Sequence, residues 1–366
     1  MNNSPTVLEI DSKAIHHNIN FFRSKLKPGT KFLVVIKAFA YGSDSVEVAK
    51  ILEKETVDYL AVAYTQEGMD LRKAGIKLPI LVLHPQTDNF ENIIKYDLEP
   101  NLYGFYALEE FIELANQKGL NDYPVHIKIN SGMNRLGFKE RDIERLSLIL
   151  KDMKSVKIQS FYSHLAASED YEEREFTLGQ ISVFNKMCNE LSKNLSYQPL
   201  KHTANTSGII NYPEAHFDLV RLGIGFYGFG NDPKHTPKLK NVCNLKTKIS
   251  QIQYLEKGGT VSYNRKFKAE KPTRVAVIPL GYADGLNRLL SNGKGFVTIN
   301  NQKVPIAGTV CMDIFMVDVT DIDCEEGDEV IIFNHQDHIL DFAEATGTIP
   351  YEILTSISQR VRREVV

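Results

Sequence analysis

Over residues 1–235, apolar runs rich in β-branched residues alternate with amphipathic segments, and beyond them short runs are broken by glycine. These two observations predict an α/β chain, an N-terminal (β/α)8 TIM-type barrel followed by a C-terminal mostly-β domain over residues 236–366. A third observation concerns the alternative, a doubly wound open sheet. That fold wants a glycine-rich fingerprint after its first strand, and Lys37 stands there instead.

The elements follow in order. Residues 1–10 read as a strand that joins the C-terminal domain, and Ser12–Leu26 as a helix. Strand-like runs come at Lys31–Lys37, Val57–Ala63, Leu78–Leu83, Pro124–Asn130 and Lys157–His164, with weaker ones at Leu98–Tyr103, Lys201–Asn205 and Leu219–Ile224. Amphipathic segments such as Ala107–Ala115, Arg141–Leu150 and Arg174–Leu191 lie between them. Asn231–Lys240 is polar and contains proline, as a linker would be. Beyond it, strands are expected at Thr247–Leu255, Arg274–Pro279, Gly295–Ile299, Val304–Ile306, Phe315–Val319 and Glu329–Phe333.

With 366 residues, 43% hydrophobic and 24% charged, the chain is long enough for two domains. A formal net charge of -3 gives no electrostatic case for nucleic acid or an anionic membrane. No apolar run approaches the ~20 residues of a membrane span. The first residues show no basic region followed by an apolar stretch, so no signal peptide is expected. Cys188, Cys243, Cys311 and Cys324 are far apart and form no CxxC pair, which fits reduced thiols rather than a disulfide frame or a zinc site. The expectation is a cytoplasmic protein without a metal.

Chemistry on such a barrel belongs at the C-terminal ends of its strands. Lys37 ends a run of five apolar residues, Phe32–Ile36. A lysine there can simply snorkel to water. Desolvated, it would have a lowered pKa and serve as a Schiff-base nucleophile or a base. The other strand ends bring Tyr41, the loop Ser131-Gly132-Met133-Asn134-Arg135, His164, Asn205-Thr206-Ser207-Gly208 and Arg221-Leu222-Gly223-Ile224-Gly225 to the same rim. Glycine-rich backbone with hydroxyls after late barrel strands is a phosphate-binding arrangement. With a Schiff-base lysine it points to pyridoxal 5'-phosphate.

Several motifs in one order carry a resemblance that runs from Glu9 to Arg363: Val35-Ile36-Lys37-Ala38-Phe39-Ala40-Tyr41-Gly42, the Ser131–Gly137 loop, Arg221–Gly225, Val261-Ser262-Tyr263, Gly281-Tyr282-Ala283-Asp284-Gly285, Val310-Cys311-Met312-Asp313 and Tyr351-Glu352. The chain resembles the alanine racemases, pyridoxal-phosphate enzymes of fold-type III. The resemblance implies two-base interconversion of L- and D-alanine, supplying D-alanine for peptidoglycan. Lys37 would hold the cofactor and act on one face of the α-carbon, and Tyr263 on the other. A phenol gives up its proton reluctantly at neutral pH, and His164 and Arg221 would assist it.

Arg221 matches the family's arginine at the pyridine nitrogen, where related decarboxylases place a carboxylate. A guanidinium keeps its proton, so the ring nitrogen stays unprotonated and side reactions are limited. Tyr41, His164, Asn205, Thr206, Gly223, Ile224 and Tyr351 match cofactor-binding positions, the hydroxyls and amides among them forming the phosphate cup. Arg135, Met312 and Asp313 match substrate-side positions. Lys128 matches a lysine that some members carry carboxylated and that steadies the arginine. The family's head-to-tail homodimer implies active sites shared between subunits, with Tyr263, Met312 and Asp313 supplied in trans.

The sequence departs from the family at Phe39, where asparagine is common, and at Ser43-Asp44, where His-Gly is common. Ser131 replaces a threonine, and Asn264 stands where glycine is frequent, although asparagine also tolerates positive φ. None of these removes a catalytic group. They leave open a racemase for another amino acid, such as serine or lysine, because one methylene is worth only ~1–3 kcal/mol of discrimination. A non-catalytic pyridoxal-phosphate carrier, which resembles the first domain only, is disfavoured by Tyr263 and Asp313.

Overall fold

The structure, a computed structural model, describes residues 5–151 and 153–366. Eight parallel strands form the first part: β2 (Lys31–Val35), β3 (Tyr59–Val62), β4 (Ile80–Val82), β5 (Glu99–Leu102), β6 (Tyr123–Lys128), β7 (Val156–Tyr162), β8 (Leu200–His202) and β9 (Leu219–Leu222). They pair in chain order from β2 to β8, and β9 pairs with β2 in parallel, Leu33 opposite Arg221. Backbone bonds from Asp218 N–H to the Lys201 carbonyl and from Arg221 N–H to the Ala204 carbonyl, both 3.0 Å, draw β8 and β9 together. The result is the expected barrel, nearly closed. Phe32, Leu33, Val34 and Ile36 are all buried, as a strand covered on both faces requires.

The strand before the barrel belongs elsewhere. β1 (Val7–Ile10) pairs antiparallel with β10 (Cys243–Lys248) and parallel with the last strand, β19 (Arg362–Val365). Residues 1–4 of the segment expected to form this strand lie outside the described residues. The remaining strands are β11 (Gln251–Leu255), β12 (Thr260–Val261), β13 (Phe267–Lys268), β14 (Thr273–Ile278), β15 (Phe296–Ile299), β16 (Gln302–Pro305), β17 (Phe315–Asp318) and β18 (Glu329–Phe333). One sheet runs β16-β15-β18-β10-β1-β19, a second runs β11-β14-β17, and β12 and β13 form a ribbon.

Three differences from expectation have identifiable causes. The run 247–255 is two strands, because the chain changes sheets at Ile249-Ser250: Ile249 N–H bonds to Asp328 and Ser250 N–H to Val277. The C-terminal part also holds helices at Gln336–Thr346 and Pro350–Thr355. Their signals were in the chain: His335 caps the first, left-handed Gly347 ends it, and proline opens the second. The first barrel strand stops at Val35, two residues before Lys37, for a reason that lies in the next turn.

Candidate active site

Lys37 does not continue its strand. It begins a tight turn in which Ala38, Phe39, Ala40 and Tyr41 all adopt left-handed backbone, with φ of 53°, 55°, 51° and 54°. For residues with a Cβ this costs roughly 1–2 kcal/mol each, so the turn persists only where its surroundings hold it. Glu67 holds its start: one carboxylate oxygen accepts from Ala38 N–H at 2.6 Å, the other from Ala63 N–H and Tyr64 N–H at 2.7 and 3.0 Å. Arg363 holds its end, donating to the carbonyls of Gly42 and Ser43 at 2.7 and 2.9 Å. Gly42 is required by contact as well as by its φ of +84°, since a Cβ there would lie 2.0 Å from the Leu354 carbonyl oxygen.

The turn swings Lys37 into a cavity of about 550 Å³ at the C-terminal mouth of the barrel. Its surface is accessible because the cavity is open, yet protein crowds the ammonium. Desolvation and then the charge of Arg135 lower its pKa, and Glu67 partly offsets them.

Arg221, on β9, is 4% exposed. Its Nη1 donates to His202 Nδ1 at 2.8 Å and to the His202 carbonyl at 3.2 Å; its Nη2 donates to the Ser163 and Thr203 carbonyls at 2.6 and 3.1 Å and approaches His164 Nδ1 at 3.4 Å. Among the described residues Nε–H has no partner, so it is the donor left for a molecule in the cavity that Arg221 lines. Burial lowers the Arg221 pKa to about 10, so the group stays charged at neutral pH. The field of Arg221, after desolvation, pushes His164 and Lys128 well below their usual pKa values. Lys128 Nζ sits 4.2 Å over the Tyr162 ring.

The other end of the cavity is a cup of hydroxyls and backbone. Tyr41 packs against Tyr227 in a tilted arrangement, 4.6 Å between centroids, and its hydroxyl would lie 3.1 Å from a Cβ on Gly223. Thr206 Oγ accepts from Gly223 N–H and Gly225 N–H at 3.2 Å, which folds the Gly223–Ile224 backbone around the cup. Asn205 caps the helix Thr206–Asn211 through Gly208 N–H at 2.9 Å. Asn231 reaches in from the polar connection and donates to the Tyr351 hydroxyl at 3.3 Å. Burial raises the pKa of both Tyr41 and Tyr351, so these phenols act as neutral donors.

The structure thus gathers Lys37, Tyr41, Lys128, Arg135, His164, Asn205, Thr206, Arg221, Gly223, Ile224 and Tyr351 around one cavity. It does not bring Tyr263, Met312 and Asp313 there. These line a separate surface hollow of about 510 Å³, with Tyr263 69% and Met312 53% exposed. Asp313 pairs with Arg360 at 2.8 Å. Tyr263 follows Ser262 and precedes Asn264 and Arg265, all three at positive φ, which projects the phenol outward. Sequence reasoning missed Glu67, His202 and Asn231. A signal existed for Glu67, the acid at the third position of a helix start, and for His202, an imidazole in a strand that needs apolar faces.

Residues 10–231 match the alanine racemase N-terminal domain family, and residues 242–365 the alanine racemase C-terminal domain family. The alanine racemase of Thermodesulfovibrio yellowstonii is 39% identical over 98% of this chain and 97% of its own. The solved alanine racemase of Clostridium difficile 630 superposes with a TM-score of 0.93 at 35% identity, covering 100% of this chain and 96% of that one. The Bartonella henselae alanine racemase, solved with covalently bound pyridoxal phosphate, gives 0.88 at 29% identity and 99% of each chain. A barrel mouth with a turn-mounted lysine facing a buried arginine, together with similarity over both domains, shows that the chain belongs to the alanine racemase family of isomerases.

Proposed function

We propose that the protein interconverts L- and D-alanine with pyridoxal 5'-phosphate, and that the D-alanine serves peptidoglycan synthesis. The observation that carries this is the pairing of Lys37, lowered in pKa, with a buried and donor-only Arg221 across one cavity. The donor set fits the cofactor: a nucleophilic amine, a cup of neutral hydroxyls and amides for a phosphate, and one unspent N–H on Arg221 for a ring nitrogen. When bound, the cofactor supplies a conjugated electron sink that stabilises negative charge at the substrate α-carbon.

This chain's residues do the rest. Lys37 Nζ would hold the cofactor, and its amine would take or return the α-proton on one face of the substrate. Tyr41, Thr206 and Tyr351, with the amides of Gly223 and Ile224, orient the phosphate; Asn205 and His164 support them. Arg221, a group that keeps its own proton, would leave the ring nitrogen unprotonated. Arg135, which makes no hydrogen bond or ion pair among the described residues, offers a fork to the substrate carboxylate. Lys128, neutral-prone by burial, is the position for a carboxylated lysine that steadies Arg135.

The second base, Tyr263, works from a partner subunit in this reading, together with Met312 and Asp313. Their exposure on a surface remote from the cavity within one chain supports a head-to-tail homodimer. The test is direct. Purified protein carrying the cofactor is reduced with borohydride and digested, and the label is expected on Lys37; racemisation is then measured across a panel of L-amino acids with alanine turned over fastest. A label that persists on another lysine in Lys37→Ala, or a preference for serine or lysine, overturns the corresponding part.

A further inference from the structure

The inside of a (β/α)8 barrel is ordinarily filled with branched apolar side chains. Here five successive strands each place a polar side chain on a single hydrogen-bonded line: Glu99 on β5, His126 on β6, Ser160 on β7, His202 on β8 and Arg221 on β9. His126, Ser160 and His202 are each no more than 2% exposed. The links are short throughout. Arg221 Nη1 lies 2.8 Å from His202 Nδ1, His202 Nε2 lies 2.8 Å from Ser160 Oγ, Ser160 Oγ lies 2.6 Å from His126 Nδ1, and His126 Nε2 lies 2.8 Å from Glu99 Oε2. The Tyr59 hydroxyl also donates to Glu99 Oε2, at 3.3 Å.

The two ends of this line leave its middle no choice. A guanidinium only donates, so His202 Nδ1 must accept and its proton must sit on Nε2. Ser160 accepts that proton's bond and passes its own to His126 Nδ1. His126 then carries its proton on Nε2, where a carboxylate, which only accepts, is waiting. Read from either end, every bond points from Arg221 toward Glu99. We propose that Glu99 and His126, neither of which lines the cavity, are positioning residues for Arg221. By setting the tautomer of His202 they guarantee an acceptor for Nη1 and hold the guanidinium plane in place. The structural part stands alone, while its catalytic consequence rests on the reading that Arg221 faces the cofactor ring.

Replacing Glu99 by glutamine removes the acceptor-only end. The amide can turn its NH2 toward His126 Nε2, which drives the His126 proton to Nδ1. Ser160 then accepts from His126 and can donate to His202 Nε2, sending that proton to Nδ1 against the Arg221 donor. A fixed line becomes a frustrated one.

The experiment is two-bond 15N–1H correlation of the holoenzyme labelled at histidine, with signals assigned by substitution of single histidines. Both His126 and His202 are expected as neutral Nε2–H tautomers, and Glu99→Gln is expected to change the tautomer pattern of His202 two links away. A cationic or Nδ1–H His126 in the unaltered protein, or a Glu99→Gln change confined to His126, overturns the proposal. In parallel, Glu99→Gln should lower kcat for racemisation about tenfold, the worth of one hydrogen bond, raise the ratio of side transamination to racemisation, and leave the KM for alanine nearly unchanged. Should Glu99→Gln fail to fold, Ser160→Ala cuts the line at its middle and is expected to raise the same ratio; an unchanged ratio in folded Ser160→Ala also overturns the proposal. If no amino acid is racemised by the unaltered protein, the proposed function falls, and the tautomer spectra still decide the line.

Discussion

Replacing Arg363 by lysine tests whether the Lys37 turn is held from the C-terminal strand. All five guanidinium N–H groups are used. They reach the carbonyls of Ser43, Gly42, Ile357, Ser358 and Val361 at distances from 2.5 to 2.9 Å. The group also packs 5.3 Å over Phe39, which gives this departure from the family pattern a cation–π contact. An ammonium has three donors, so at least two carbonyls lose their partner. At ~1.5–3 kcal/mol for a hydrogen bond to a charged group, the loss is about 3–6 kcal/mol. The site is only part-buried and water re-solvates some of it, so the lower end, about 3 kcal/mol, is expected. Four left-handed residues store roughly 4–8 kcal/mol, so the turn is where the slack will appear. Urea unfolding at fixed protein concentration reads the stability; kcat and KM for alanine read the lysine. Arg363→Lys should lose about 3 kcal/mol and most of its kcat, with KM changed less. Unfolding within about 0.5 kcal/mol of the unaltered protein and an unchanged kcat would refute the reasoning.

Arg221→Glu should slow racemisation about a hundredfold or more while side transamination rises, because a carboxylate lets the ring nitrogen keep a proton; unchanged rates in both assays would show that Arg221 does not face the ring. Acid should destabilise the fold in a defined window. His164 and His202 are held neutral by desolvation and by the charge of Arg221, with smaller contributions from Lys128 to both, from Arg135 and Lys37 to His164 and from His126 to His202. Their folded pKa values lie below the unfolded value of ~6.5, so the unfolded chain binds protons that the native state does not, and stability falls as pH drops below ~6.5 at up to ~1.4 kcal/mol per pH unit and group. His202→Gln should flatten that slope in urea titrations at pH 5 to 7, and an identical slope would count against the assignment. Mixing inactive Lys37→Ala with inactive Tyr263→Phe under conditions of subunit exchange should restore activity in up to about half the dimers; no recovery after demonstrated exchange would sink the shared site.

Much of this molecule was legible from local pattern. The plainest barrel strands announce themselves because a strand buried on both faces must be apolar over several consecutive residues, and Phe32–Val35 and Tyr59–Val62 are such runs, whereas Glu99–Leu102 and Leu200–His202 are not. Lys37, Arg221 and Thr206 could be named because strand ends carry the barrel's chemistry. The sequence by itself therefore determined the barrel, the order of its strands and the rim on which the lysine stands. Three things were decided only by tertiary structure. The left-handed turn at Ala38–Tyr41 carries none of the glycines that such backbone favours, since it is held by Glu67 and Arg363, which are remote in sequence. The line from Glu99 to Arg221 needs five strands brought into register, and no single strand shows it. The distance of Tyr263 from the cavity is likewise a property of how the sheets pack. For the turn and the line the deciding contacts span from about twenty to more than three hundred residues of chain, a separation over which neither periodicity nor spacing carries information.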